Sequence, residues 1–309
     1  MGARGGLSAQ PTPASWDAIA SAVREIGPAV DPQAIAASGR LLAPWHETTV
    51  SADAPWVLEA DVPYGAHPEQ ALDLYLPAGR RPQGIMLYVH GGAFVGGSRQ
   101  RQGSPYHGNI GRWGAAKGWA VLLVGHRLAP AAQWPAAVED LALAVEWARA
   151  RLREPDGGTL PVHLIGNSSG AVHVVTYTCG GPGVPAAAPA PASVVLISGV
   201  YDLPAFGWER LRPYFGDDVD RLDRWDLTSR LAESGVPQLY AVGEYDTPEA
   251  HEQFLAVLRA VSARSGALPA CLRARAANHF TIVHAIGTPF DDVGPSLLRF
   301  VEAAQSTGP

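Results

Sequence analysis

The stretch of sequence best suited to covalent chemistry is Gly166-Asn167-Ser168-Ser169-Gly170, which fits the pattern G-x-S-x-G. It follows the apolar run 162–165 and precedes residues that can form a helix. A serine on such a sharp strand-to-helix turn projects from the sheet edge, and glycines two residues on either side avoid collisions. We predict that Ser168 is a nucleophile. Ser169 is the alternative nucleophile within the same pattern. The structural alternative is a glycine-rich turn between strand and helix that has no catalytic role.

A second stretch, residues 90–94 with the sequence HGGAF, follows the apolar run 85–89. Attack of a serine on an ester or amide carbonyl creates an oxyanion, which each backbone N–H donor stabilises by about 3–4 kcal/mol. Small residues let the main chain approach that oxyanion closely. We predict that the N–H groups of Gly92, Ala93 and Ser169 are the donors and that His90 anchors the loop. The predicted oxyanion hole comprises Gly91, Gly92, Ala93 and Ser169.

A nucleophilic serine needs a general base. When the serine lies on a G-x-S-x-G turn, the acid and then the base follow it along the chain. His279 comes directly after the stretch 272–276, which we predict to be the last strand. His279 is therefore the predicted base, and His284, five residues later, is the alternative.

The base in turn needs an acid that orients its ring. The run 239–242 is followed by Gly243-Glu244-Tyr245-Asp246, which offers two carboxylates at the end of a predicted strand. We predict that Asp246 is the acid, with Glu244 and Asp202 as alternatives. Asp246 also precedes Thr247 and Pro248, so a helix cap is its structural interpretation.

These motifs resemble those of the α/β-hydrolase superfamily, and within it the hormone-sensitive-lipase-like carboxylesterases of the HGG type. The resemblance covers about residues 71–300 and includes the stretches 126–130 (HRLAP) and 134–140 (WPAAVED). It implies Ser168, Asp246 and His279 as a catalytic triad, with Gly92, Ala93 and Ser169 as oxyanion donors. The sequence departs from the family pattern at Ala93, His126, Ala131 and Asn167.

The resemblance implies a serine hydrolase that cleaves a carboxylic ester of a small apolar or aromatic substrate through an acyl-enzyme. The residues around His279 and Asp246 also resemble those of kynurenine-formamidase-type enzymes, which hydrolyse an N-formyl amide. Amide hydrolysis, biosynthetic acyl transfer and lactone formation therefore stay open as alternatives. A binding module without catalysis is the remaining one, because a fold by itself does not define an activity.

The elements that must position these residues follow an α/β rhythm. Short, continuous apolar runs are typical of parallel strands buried on both faces, and here they alternate with helical patterns. The runs are residues 85–89, 120–124, 162–165, 194–197 and 239–242. Helices are predicted at 16–26, 31–42, 135–152, 248–263 and 293–303, and antiparallel strands with one polar face between 47 and 76. The prediction is an α/β-hydrolase fold with a mostly parallel central sheet flanked by helices.

We predict a mobile tail at residues 1–15, followed by a single domain at 16–309. Residues 16–45 and the insertion 202–234 are expected to form a lid, since loops of that length are usually functional. Aromatic side chains suit an apolar pocket, and the insertion contains several of them, Trp225 included. Its charged residues, Arg210 among them, are interpreted as a solvated surface of mixed charge. The predicted pocket residues are Phe94, Asn167, Trp208, Tyr214 and Phe215.

Composition argues against several other classes of protein. Among 309 residues, 29 acidic side chains against 23 Lys plus Arg give a net charge of −6, which argues against nucleic-acid binding. Cys179 and Cys271 are too few for a disulfide framework, and no metal or cofactor motif is present. We expect no metal and no cofactor. Without an apolar leader or a run long enough to span a membrane, we expect a cytoplasmic protein with no membrane span. A homodimer is the oligomeric state that we consider for it.

Overall fold

The centre of the molecule is one sheet of eight strands, seen in a computed structural model that describes residues 15–47, 55–100, 104–154, 156–217 and 226–306. Along the chain the strands are β1 Trp56–Pro63, β2 Ala71–Pro77, β3 Ile85–Val89, β4 Ala120–Val124, β5 Val162–Asn167, β6 Ser193–Ile197, β7 Gln238–Gly243 and β8 Ala270–Ala274. Their order across the sheet is β1-β2-β4-β3-β5-β6-β7-β8. The pairs β1–β2 and β2–β4 are antiparallel, and every pair from β4 to β8 is parallel.

Helices cover both faces of this sheet. In the described part of the chain they are α1 Trp16–Ile26, α2 Pro32–Glu47, α3 Gly108–Ala116, α4 Ala136–Arg151, α5 Ser169–Thr178, α6 Leu203–Phe206, α7 Trp208–Phe215, α8 Leu227–Glu233, α9 Pro248–Ser265, α10 Thr281–His284 and α11 Val293–Ser306. One apolar core lies between the sheet and α4, α5, α8 and α9, and a second lies between the opposite face and α3 and α11. The alternation of strands and helices predicted from the apolar runs is confirmed.

Strand β2 differs from the prediction of one polar face. Six of its seven residues are buried, and Asp73 is fully buried. The reason is its position, because β2 lies between β1 and β4 and its side chains enter both apolar cores, Leu72 and Leu74 one and Tyr75 the other. The buried Asp73 carboxylate accepts hydrogen bonds from the Asp61 amide and from Arg99, which supplies the opposite charge that a buried ion requires.

Several predicted boundaries differ from the structure by two or more residues, and two of them have an identifiable cause. Helix α2 continues past Pro44 to Glu47, although an internal proline removes one helical hydrogen bond. Tertiary contacts hold its last turn, since Trp45 packs edge-on against Phe290 and the His46 ring bonds the His284 carbonyl oxygen at 2.7 Å. Strand β8 begins and ends two residues earlier than predicted, because residues 275–276 already form a turn.

The two predicted lid segments form helices beside the carboxyl ends of the strands. Helices α1 and α2 pack on the loop before α11 through a small apolar cluster that includes Ile19, Val23, Leu42 and Phe290. The insertion contains α6, α7 and α8. Residues 1–14 of the predicted tail and residues 218–225, with Trp225, lie outside the described residues, whereas Ser15 caps α1 by accepting a hydrogen bond from the Ala18 amide. In the described ranges, no helix combines the length and apolar character needed to cross a membrane.

Candidate active site

Ser168 occupies a strained turn between β5 and α5. Its backbone has φ 53° and ψ −124°, a region that residues with a side chain rarely adopt. A Cβ at Gly166 would lie 2.6 Å from the Ala171 Cα, and one at Gly170 would lie 2.6 Å from the His90 carbonyl oxygen. Glycine at both positions is therefore what allows strand, turn and helix to approach this closely.

The three side chains proposed as a triad form one hydrogen-bonded chain. The Ser168 Oγ lies 3.0 Å from the Nε2 of His279, and the Nδ1 of the same ring lies 2.8 Å from the Asp246 Oδ1. Ser168 follows β5, Asp246 follows β7, and His279 follows β8. The parallel strands thus deliver all three residues to one edge of the sheet. Distances of this size permit proton transfer along the chain.

Four hydrogen-bond donors surround the Asp246 carboxylate, which is only 3% exposed. Oδ1 accepts from His279 and from the Thr247 amide, and Oδ2 accepts from the Ser198 hydroxyl at 2.6 Å and from the Gly243 amide. Burial by itself would raise the pKa of Asp246, but the bonds from His279, Ser198 and Thr247 outweigh it and hold that pKa below its usual value. The carboxylate is therefore anionic and fixed in orientation.

The alternatives from the sequence have other partners. Glu244 accepts a hydrogen bond from the Ala276 amide, which with the Arg273 ion pair lowers the pKa of Glu244. Asp202 caps α6 through the Ala205 amide. The His284 ring stacks on Tyr106 at 3.8 Å, and the Ser169 Oγ accepts from the Phe94 amide. None of these four residues belongs to a hydrogen-bonded chain of serine, histidine and carboxylate like the one that contains Ser168.

The loop after β3 lies directly against the nucleophile. A Cβ at Gly91 would be 2.7 Å from the Cβ of Ser168, so only glycine fits there. Gly92 and Ala93 have positive φ angles of 138° and 50°. Among the described residues, no hydrogen bond is found from the N–H groups of Gly92, Ala93 or Ser169. Amides without an internal partner are what the predicted oxyanion hole requires. Within the same loop the Nδ1 of His90 bonds the Gly91 carbonyl oxygen at 2.8 Å.

A cavity of about 1060 Å³ opens above Ser168 and His279. Its floor is the elbow and the oxyanion loop, including Asn167. Its walls come from α2, from the start of α9 and from the insertion, where Phe206 and Arg210 contribute. Both predicted lid segments therefore border it, and Arg210 faces the cavity rather than only the outer surface.

The aromatic residues predicted to line this cavity do not do so. Phe94, Tyr214 and Phe215 are at most 2% exposed and pack against each other, with the Phe94 and Tyr214 rings stacked at 5.0 Å. Trp208 is half-buried against the same core. These side chains attach the insertion to the domain, because large aromatic surfaces are stabilised most by full burial. Of the predicted pocket residues, Asn167 alone borders the cavity.

The N-terminal helices contact the two loops that carry the acid and the base. Arg24 of α1 donates to the hydroxyl of Tyr245, the residue before Asp246, at 2.8 Å. Asn278, the residue before His279, bonds the Ser38 hydroxyl of α2 at 3.2 Å. The side chain of Asn278 also accepts from the Phe280 and Thr281 amides, which fixes the turn behind His279. The position of these helices is thereby coupled to the triad.

Sequence reasoning missed Ser198, Asn278 and Arg40. Ser198 follows β6 directly. Its position at the carboxyl end of a predicted parallel strand could have indicated that it lies near the triad. Asn278 and Arg40 offered no such signal, because the Ser38 hydroxyl that Asn278 contacts is 240 residues away in sequence and the cavity that Arg40 borders forms only when the elements pack together.

Comparison with known proteins gives one family match. The family profile described as BD-FAE matches residues 72–178, which is less than half of the chain. This segment contains the oxyanion loop and Ser168 and ends before Asp246 and His279.

Two curated relatives are esterases of Mycobacterium tuberculosis (strain ATCC 25618 / H37Rv). Esterase LipC is 32% identical over 170 residues, which are 52% of this chain and 40% of LipC. Esterase LipQ is 27% identical over 117 residues, which are 36% of this chain and 27% of LipQ. The chain thus matches less than half the length of either relative.

Solved structures show the fold. Esterase B from Lactobacillus rhamnosis, in a C6-C4 SN3 inhibited form, has a TM-score of 0.66 at 21% identity over 93% of this chain and 97% of that one. An esterase from the bacterial hormone-sensitive lipase family has a TM-score of 0.63 at 21% identity over 94% and 97%. The predicted α/β-hydrolase fold and the resemblance to esterases of that fold are confirmed.

Proposed function

We propose that this chain is a serine carboxylesterase that uses Ser168, His279 and Asp246 as its triad. The observation that carries the proposal is the hydrogen-bonded chain from the Ser168 Oγ through His279 to the buried Asp246 carboxylate, at the floor of a cavity. The esterase relatives and the esterase structures support the same activity.

In the proposed mechanism the Ser168 Oγ attacks the carbonyl carbon of the ester while His279 takes its proton. The resulting oxyanion accepts hydrogen bonds from the N–H groups of Gly92, Ala93 and Ser169, which have no other partner among the described residues. The ring of His279 then gives its proton to the departing alcohol, leaving an acyl group on Ser168. Water activated by His279 releases the acid and restores the enzyme.

Asp246 keeps one tautomer of His279 in place and stabilises the imidazolium that forms in each step. Its low pKa serves this role because a protonated carboxyl could not compensate the positive ring. The strained Ser168 backbone keeps the nucleophile aimed at the cavity rather than into the helix.

The test is hydrolysis of short- and medium-chain 4-nitrophenyl esters and of an N-formyl aryl amide by wild type and Ser168→Ala. Since the triad acts as a unit, we expect wild type to cleave the esters and the variant to lose about 10⁴-fold or more in kcat. Ser169→Ala is the matched control, because its hydroxyl bonds the Phe94 amide instead of His279.

Three other outcomes would redirect the proposal. Cleavage of the formyl amide in preference to every ester would assign amide hydrolysis. Labelling of Ser168 by a phosphonate without turnover of any substrate would indicate a specialised acyl transfer. Absence of both labelling and turnover would refute the enzymatic proposal and favour a binding module.

A further inference from the structure

The charged side chains around the cavity are unevenly distributed. Arg40 and Arg210 border it. Among the described residues of its wall, one side chain is acidic, Glu249. The chain as a whole carries a net charge of −6. The cavity opening, with two guanidinium groups, is therefore more positive than the protein's average surface.

The two arginines come from different lid segments. Arg40 lies on the face of α2 whose other residues, Ile35, Ala36, Gly39 and Ala43, also border the cavity. Arg210 lies on α7, and its guanidinium carbon is 5.3 Å from the ring centroid of Phe206, which borders the cavity too. This stacking restricts the orientation of the guanidinium plane.

Neither arginine has an ion-pair partner in the described part of the chain. Glu249 is exposed on the first turn of α9, and among the described residues it forms no ion pair with either guanidinium. Arg212, two residues after Arg210, is paired with Asp217. Among the described residues, no carboxylate therefore neutralises either guanidinium. The planar fork of a guanidinium matches a carboxylate through paired hydrogen bonds.

We propose that the preferred ester carries a carboxylate, which Arg40 and Arg210 bind while its ester carbonyl lies over Ser168. This inference rests on the proposed esterase function and names its substrate class. The remaining wall, with Ile35, Val200 and Phe280, suits an apolar body between the ester and the carboxylate. A cavity of about 1060 Å³ has room for all three parts.

Two matched ester pairs test the proposal, one for each side of the ester. The 4-nitrophenyl half-ester of adipic acid is compared with 4-nitrophenyl hexanoate, and 4-acetoxybenzoate is compared with methyl 4-acetoxybenzoate. For each pair the ratio of kcat/KM, charged over neutral, is measured in wild type, Arg40→Gln, Arg210→Gln and the double variant. Comparing ratios between variants cancels the intrinsic reactivity of the esters.

We expect each single variant to lower the ratio of at least one pair about two- to fivefold, which is the size of a solvent-exposed ion pair. Added NaCl should narrow the wild-type ratio, because salt screens exposed charges. The matched control is Arg259→Gln, an exposed arginine of α9 outside the cavity wall, which should leave both ratios unchanged. Ratios that stay the same in all variants, or that fall equally in Arg259→Gln, would overturn the proposal.

A binding measurement separates this inference from the esterase proposal. In Ser168→Ala, calorimetry gives the Kd of uncleaved 4-acetoxybenzoate with and without each arginine. Weaker binding of the anion without Arg40 or Arg210 supports the anion site even if wild type cleaves no ester. Equal Kd values in all these variants refute the anion site even if wild type is an active esterase.

Discussion

Ser198 offers the sharpest test of how the acid is held. Its hydroxyl donates to the Asp246 Oδ2 at 2.6 Å, and this carboxylate is almost inaccessible to water. In Ser198→Ala this oxygen keeps only the longer bond from the Gly243 amide, 3.4 Å. A hydrogen bond to a charged group contributes about 1.5–3 kcal/mol.

This loss destabilises the Asp246 anion and raises its pKa toward the usual value. If the lost energy acts on the transition state, where the imidazolium of His279 needs the anion, kcat falls about 10- to 100-fold. Substrate binding does not use this bond, so KM should stay nearly constant. Steady-state kinetics with a short 4-nitrophenyl ester separate the two constants.

Two further variants distinguish the hydroxyl from the backbone. Ser198 has φ 48°, where glycine is less strained than alanine. Ser198→Gly should therefore lose as much kcat as Ser198→Ala while having the higher Tm of the two. Ser193→Ala is the matched control, because it removes another buried serine hydroxyl, bonded to His163 at the opposite end of β6 from the triad. This variant should lower stability without lowering kcat. A kcat within twofold of wild type in Ser198→Ala would refute this account of Asp246.

Two more predictions concern stability. Tyr214→Ala should lower the free energy of unfolding, measured by urea denaturation, by about 3–5 kcal/mol, because the ring is fully buried against Phe94. The KM for short esters should stay unchanged. A raised KM would show that the ring contacts the substrate. His90, His126 and His173 are buried, and burial lowers the pKa of each. Since their pKa values in the unfolded chain are near 6.5, the unfolded state binds more protons below that pH, and stability should fall from pH 6.5 to pH 5 by up to about 2 kcal/mol per histidine. Urea midpoints that are flat over this range would contradict neutral buried rings.

Much of the architecture was predictable because it depends on local pattern. Continuous apolar runs are read as strands buried on both faces, and five of the eight strands follow from them. The glycines around Ser168 are visible in the sequence as a motif, although the collision that excludes a side chain at Gly170 involves the His90 carbonyl oxygen, which follows the neighbouring strand β3. Position after successive parallel strands placed Asp246 and His279 at the same sheet edge as Ser168.

The predictions that failed concern positions where residues distant in sequence determine the burial of a side chain or the end of a helix. Asp73 has the alternating context of a half-exposed strand, yet β2 is covered on both sides and Arg99 neutralises the charge. Pro44 is a local stop signal, but contacts of Trp45 and His46 with the loops near α10 and α11 continue the helix. For the aromatic residues of the insertion, composition cannot distinguish a cavity wall from buried contacts.

The sequence alone therefore determined the strand–helix alternation and the order of the chemically competent residues, because both reside in short-range pattern. Only the tertiary structure decided which side chains meet. The Ser198 hydroxyl on Asp246, the Asn278 contact with α2 and the two arginines at the cavity join segments far apart in the chain. Such contacts depend on how the elements pack, and packing energies are shared among many residues rather than encoded in any one motif.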